Sequence, residues 1–302
     1  MMIYFYPAGG LANRMRAINS LLKVARGGEM SCKQDDSCKQ DDSCKQDDSY
    51  KQDDSCMQGE MSYKIIWQCN SELNCPFDMI WQARPTVVST EKRDRRLLLF
   101  KLRHRVIGKA LLRLLDRLHL VRLYDTDEYE PLRRDAQEGV LKRYKTVVIR
   151  TYSVFTSDIS LERDFFVLRE DVKQMVDAAC KDFTEVTVGV HIRRTDNSWS
   201  IEQSPVELFT QKMQAMLAEN PSRNFYVATD DAELKQTLKQ TFAGHIISPD
   251  CPLNRDTREG ILSAVVEMYT LSRTQFILGS YYSSYSEMAA EIGNVRLTVL
   301  HV

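Results

Sequence analysis

The segment VGVHIRRTDN, Val188 to Asn197, runs from an apolar, β-branched stretch straight into His191, Arg193, Arg194 and Asp196. Such charges are costly to bury unless they are paired or meet a ligand. At the carboxyl end of a parallel strand they point instead into the crevice where α/β proteins bind nucleotides. A guanidinium there can grip phosphate oxygens bidentately, and it needs no metal ion to do so. The competing reading is a structural ion pair in which Asp196 neutralises Arg194.

That chemistry requires strands that end at a common edge. Ile3 to Tyr6 is a short apolar strand, followed by the Gly9-Gly10 turn and LANRMRAINSLLKVA, whose Leu11, Met15, Ile18, Leu22 and Ala25 share a helical face. Gly27 and Gly28 stop that helix, and Lys64 to Trp67 is the next strand. Strand, glycine turn, helix and strand make a βαβ start, which favours an α/β class with parallel strands. Tyr144 to Tyr152 closes the first half as a strand. In the second half Leu168 to Phe183 is helical, EVTVGVHIRR and NFYVATDD are strands, and TREGILSAVVEMYTLS is a helix. QFILGS then predicts a strand and SSYSEMAAEIG a helix. Ser204 is expected to cap the helix that opens SPVELF, with Pro205 in its first turn. Two halves built alike predict two Rossmann-like domains facing a cleft, residues 1–160 and 161–302.

The 302 residues suffice for two domains, and 43% hydrophobic with 27% charged residues suits packed cores. A net charge of −1 gives no global pull toward nucleic acid. No run of 18 apolar residues exists, and MMIYFYPAGG lacks the basic region of a signal peptide, so a cytoplasmic protein is expected. Residues 91–123 read as helical and heavily basic. They suit either a solvated basic face on a packed helix pair or peripheral contact with the inner face of an anionic membrane.

Of eight cysteines, Cys32, Cys38, Cys44 and Cys56 belong to a tandem repeat of CKQDDS, and the rest show no structural-zinc spacing. Each repeat unit is acidic and lacks large apolar groups, so ordering it would bury little. The expectation is a flexible surface loop. The flanking words GEMSCK at Gly28 and GEMSYK at Gly59 nearly match, as an in-frame expansion covering 28–58 would leave them.

HIRRTD, together with GGLANR near the start, TDD after a strand and GSYYSSYS near the end, resembles the metal-independent fucosyltransferases. These comprise α1,6-, nodulation and protein O-fucosyltransferases, and the chain looks most like a bacterial branch of the α1,6/nodulation type. The resemblance spans nearly the whole chain and implies a GT-B fold, a GDP-fucose donor held by the second domain, inversion at the anomeric carbon, and no metal or other cofactor. Carried over, Arg193 contacts the β-phosphate and stabilises the departing GDP, His191 lies against guanine, and Arg194 and Asp196 shape the pocket. Gly9 and Gly10 let backbone amides approach the phosphates, and Asn13 and Arg14 face donor or acceptor. Ser283 and Ser284 present hydroxyls and helix N-terminal amides to phosphate.

Two departures stand out. Glu267 occupies the place where the α1,6 enzymes use Asp to recognise guanine, and Asn197 replaces a Lys. The implied general base is Glu202, in the loop after HIRRTD, where an ordinary exposed carboxylate is the alternative. Asp230 and Asp231 are expected to cap the next helix or to bond a ribose or a partner Arg rather than a metal. Trp199 suits either an acceptor sugar or core packing. The expected activity is fucosyl transfer from GDP-fucose to a glycan acceptor. The alternatives are transfer of another GDP-sugar, a catalytically silent nucleotide- or glycan-binding module, and a phosphatase, which would need a nucleophilic His.

Overall fold

The computed structural model describes residues 1–27, 61–92, 94–195, 198–248 and 257–302. The repeat from Cys32 to Gln58, and Asp196 with Asn197, lie outside the described residues.

The first sheet is built from β1 (Met2–Pro7), β2 (Ser62–Gln68), β3 (Val87–Thr90), β4 (Val121–Tyr124) and β5 (Thr146–Thr151), all parallel, in the order β3-β2-β1-β5-β4. Helices cover both faces, which is why its central strands read as nearly unbroken apolar runs. Ile3, Phe5, Ile65, Trp67, Val147 and Ile149 alternate onto the face packed by α1 (Leu11–Ala25). Tyr6, Ile66 and Val148 turn to the other face, against Leu97, Phe100 and Leu112. Those three come from a short 3-10 turn, α2 (Leu98–Leu102) and α3 (Val106–Arg117). Residues 91–123 therefore depart from the continuous helical reading. The helix breaks between α2 and α3, and Val121–Tyr124 leaves helix altogether to pair with β5. Among the described residues the remaining α-helix of this half is α4 (Tyr129–Gln137).

The second half opens with α5 (Glu170–Ala179). Its sheet, again parallel, is β10-β9-β6-β7-β8, with β6 at Val188–Ile192, β7 at Phe225–Thr229, β8 at Ile246–Ile247, β9 at Phe276–Ser280 and β10 at Arg296–Leu300. The short β8 and the edge strand β10 add to the three strands read from sequence. α6 (Ser198–Gln203), α7 (Val206–Glu219), α8 (Ala232–Thr241), α9 (Arg258–Leu271) and α10 (Ser284–Gly293) complete it. Val188, Val190 and Ile192 pack toward Phe209 and Met213 of α7. The alternate residues Gly189 and His191 turn to the opposite face.

Ser204 does not cap α7, whose N-cap is Pro205. Its hydroxyl donates to the Leu300 carbonyl at 2.6 Å and accepts the Tyr281 amide at 2.7 Å, so it ties β10 to the turn after β9. One hydrophobic cluster runs through both halves by way of Trp81, Phe166, Tyr269 and Met288. The Trp81 indole donates to the Tyr269 hydroxyl at 2.9 Å, which donates to the Phe166 carbonyl at 3.1 Å. Arg16 of α1 pairs with Glu287 of α10 at 2.9 Å.

Candidate active site

The two sheets bring their glycine turn and arginine motif to one cavity of about 480 Å³. Gly10, Asn13 and Glu72 line it from the first half, and His191, Arg193, Asp230, Glu267, Ser284 and Tyr285 from the second. Five of these, Gly10, Arg193, Asp230, Ser284 and Tyr285, lie just after strands or at helix starts. Parallel sheets leave polar groups in such positions at a shared rim.

On the first wall, β1 ends at Pro7 and the chain turns through Gly9 at a φ of +76°, a conformation that side chains disfavour. The freed Gly9 amide donates to the Glu72 carboxylate at 2.9 Å. Gly10 is the N-cap of α1 and leaves open space where a Cβ would stand. Asn13, one turn on, faces the cavity. Arg14 does not. It is fully buried, and its guanidinium donates to the Gly9 carbonyl at 2.8 Å, to the Gln68 carbonyl and to Asn70 Oδ1 at 2.8 Å. It also lies over the Trp67 ring, 5.0 Å from its centre. Burial pulls this guanidinium down to about 10. Arg14 thus braces the glycine turn against the end of β2 from behind the wall.

On the second wall, Arg193 follows β6 and is 20% exposed, with Nε 3.7 Å from Asp230 Oδ2. Asp230 organises the turn around it. Its oxygens accept the Arg194 amide at 2.7 Å and the Thr195 hydroxyl at 2.7 Å. Asp231 caps α8 by accepting the Leu234 amide at 3.0 Å. The two acids thus divide the roles read from sequence, one toward an arginine and one as a cap. Arg194 turns away from the cavity, toward the carbonyls of Ile201 and Ser204 at 3.5 and 3.4 Å.

His191 is 5% exposed, and its ring stacks on Tyr285 with centroids 4.7 Å apart. Tyr285 escaped the sequence reading, although its place one residue beyond the serine pair was a usable signal. Glu267 is buried beside Lys235, with Oε1 3.3 Å from Nζ. That pairing lets a carboxylate stay charged away from water, and no local spacing linked the two. At the start of α10, Ser283 Oγ is buried with no hydrogen-bond partner among the described residues, and Ser284 faces the cavity.

Two sequence candidates lie elsewhere. Glu202 is exposed on α6 and is not part of the cavity lining, whereas Glu72, unnoticed in the sequence, is. Trp199 is 62% exposed, which removes the core-packing reading. A second cavity, about 470 Å³, opens between α1 and α10 beside Arg16, Asn19 and Leu297 and contains none of the sequence-derived site residues.

No family model and no curated protein matches this chain. Among solved structures it is similar to the NodZ α-1,6-fucosyltransferase co-crystallised with GDP, at 15% identity and a TM-score of 0.56, covering 95% of this chain and 91% of that one. The same enzyme soaked with GDP-fucose aligns at 14% identity and a TM-score of 0.54, covering 96% and 92%. POFUT1 in its apo form aligns at 8% identity and a TM-score of 0.51, covering 100% and 98%. The likeness is one of fold, carried through both sheets.

Proposed function

We propose that the protein is an inverting glycosyltransferase that moves L-fucose from GDP-fucose to a glycan acceptor without a metal ion. The observation that carries this reading is a single cavity between two parallel α/β sheets. In it Arg193, the start of α10 and the Gly10–Asn13 turn converge. Such a cavity suits a sugar nucleotide, and the fold neighbours crystallised with GDP and soaked with GDP-fucose support the choice of donor.

In this reading the guanidinium of Arg193 meets the β-phosphate. As the bond from the anomeric carbon to the phosphate oxygen breaks, its electrons stay on GDP, and Arg193 offsets that growing charge. Asp230 holds the turn so that the guanidinium is in place beforehand. The α10 amides and the Ser283 hydroxyl supply further donors to the diphosphate. His191 and Tyr285 form a flat surface beside the base, and the Glu267 carboxylate can accept from the guanine N1–H and amino group. The acceptor hydroxyl attacks from the opposite face and gives its proton to a carboxylate. Glu72, in the cavity wall beside Gly9, is the better placed for this, and Glu202 is the alternative. The four described aromatic side chains more than a third exposed, Tyr152, Trp199, Tyr281 and Tyr282, all follow the ends of β5, β6 and β9. They give a rim on which sugar faces can stack.

The test is a screen of GDP-sugars with EDTA present, reading GDP release against a panel of oligosaccharides. GDP-fucose should be consumed preferentially. Binding without turnover would favour a silent nucleotide-binding module, and preference for another GDP-sugar would change the donor. Activity lost to EDTA and restored by manganese would sink the arginine-for-metal assignment.

A further inference from the structure

The exposures along α3 separate the two readings of region 91–123. One stripe of this helix faces the protein. Gly108 is pressed so closely on α2 that a Cβ there would stand 2.2 Å from the Leu102 carbonyl oxygen, and Leu112 packs on the cluster around Tyr6 and Val148. A second stripe, Ile107, Leu111, Leu114 and Leu118, repeats at intervals of four, three and four residues and so lies along one side of the helix. Its members are 85%, 45%, 53% and 57% exposed, and neighbouring Val106 is 86% exposed. A third stripe carries Lys109, Arg113 and Arg117, all exposed, with Lys101 and Arg105 just before it. The sole acid of α3, Asp116, is occupied by Arg122 and the Tyr144 hydroxyl, each at 3.0 Å.

A helix that only shields the sheet needs one apolar side, and α3 has two. Contiguous exposed apolar side chains of this kind mark a contact surface. We propose that α3 is a membrane-surface anchor. It lays Ile107, Leu111, Leu114 and Leu118 into the acyl boundary of an anionic bilayer, while Lys109, Arg113 and Arg117 meet the headgroups. Charge selects this occupant. Lipid phosphates complement the basic stripe, whereas a second copy of α3 would bring two basic stripes together, and the one acid of that helix, Asp116, is already paired. The helix, about 18 Å long, lies on the surface rather than crossing it, and no described helix is long and apolar enough to span a membrane. This inference stands apart from sugar transfer, because lipid binding is read with neither donor nor acceptor present.

The experiment is flotation of the full chain with phosphatidylcholine vesicles, with and without phosphatidylglycerol. The chain should float with the anionic vesicles at low ionic strength and detach as salt shortens the screening length below about 10 Å. Leu111→Ser with Leu114→Ser should lower the partition coefficient by about 10-fold or more. Lys109→Glu with Arg113→Glu should do the same by reversing the attraction. All four side chains face solvent, so thermal unfolding should be unchanged in both variants, which separates a lost surface from a lost fold. The proposal is overturned if the unaltered chain does not float or if the variants float equally well. A concentration-dependent dimer in sedimentation that the serine variant dissolves also overturns it, since a second copy would then cover the stripe.

Discussion

Arg14, in the first turn of the helix after β1, and Arg193, just past the end of β6, belong to matching halves of the molecule, yet they face opposite ways. Arg14 is fully buried and donates to two carbonyls and an asparagine, all within the first half. Arg193 keeps 20% of its side chain exposed in a cavity wall, beside a carboxylate at 3.7 Å. An arginine surrounded by carbonyls at hydrogen-bonding distance is a strut, because moving it would strand several buried acceptors. One that stays partly exposed in a cavity wall, beside a carboxylate, is placed to meet a phosphate. Residue type and place in the sequence nominate a ligand-binding arginine, and whether the folded chain leaves it in a cavity wall or seals it behind one decides.

The sharpest way to break this contrast is Arg193→Ala. GDP release should fall by about 100- to 1,000-fold, with thermal unfolding little changed. Arg14→Ala should do the reverse. It should lower unfolding stability by about 3 kcal/mol in denaturant titrations, while the folded fraction keeps its donor affinity. If both variants lost turnover at full stability, the strut assignment would be wrong. Next in size, Glu72→Gln should slow turnover by about 100-fold without weakening GDP binding, and Glu202→Gln should leave it nearly unchanged. The opposite pattern would move the base to α6.

Smallest of all should be the effect of deleting residues 28–58. The chain ends flanking that stretch already meet, with the Met61 amide 3.3 Å from the Ala25 carbonyl. They do so at the start of β2, away from the strand ends that form the cavity. The deletion variant should fold, bind GDP-fucose and unfold within about 1 kcal/mol of the full chain, since loop closure depends only weakly on length. Loss of donor binding would show that the repeat reaches the site.

Much of the architecture was legible because buried parallel strands leave short apolar runs and amphipathic helices leave a periodic pattern. α1 could be read from its 3.6-residue period, and β1, β6, β7 and β9 from short apolar, β-branched runs. Val121–Tyr124 was not, because four residues trailing a long basic helix carry no period of their own, and only pairing with β5 makes them a strand. Arg193, His191, Asp230 and Ser284 could be nominated because each adjoins a strand end or helix start that the pattern located, and the fold brings all four to one cavity.

Glu72 and Lys235 were missed because nothing local marks them. One becomes significant by accepting the amide of a glycine 63 residues away, the other by reaching a carboxylate 32 residues on. The sequence alone thus determined the two-sheet α/β plan and which strand ends carry charge, since both follow from short apolar runs, helical periodicity and the cost of burying ions. Tertiary structure alone decided that Arg14 is a strut, that Arg194 turns away, and that one side of α3 is left bare. Each of those depends on which distant carbonyls, carboxylates and side chains arrive within contact distance, and no spacing along the chain encodes that.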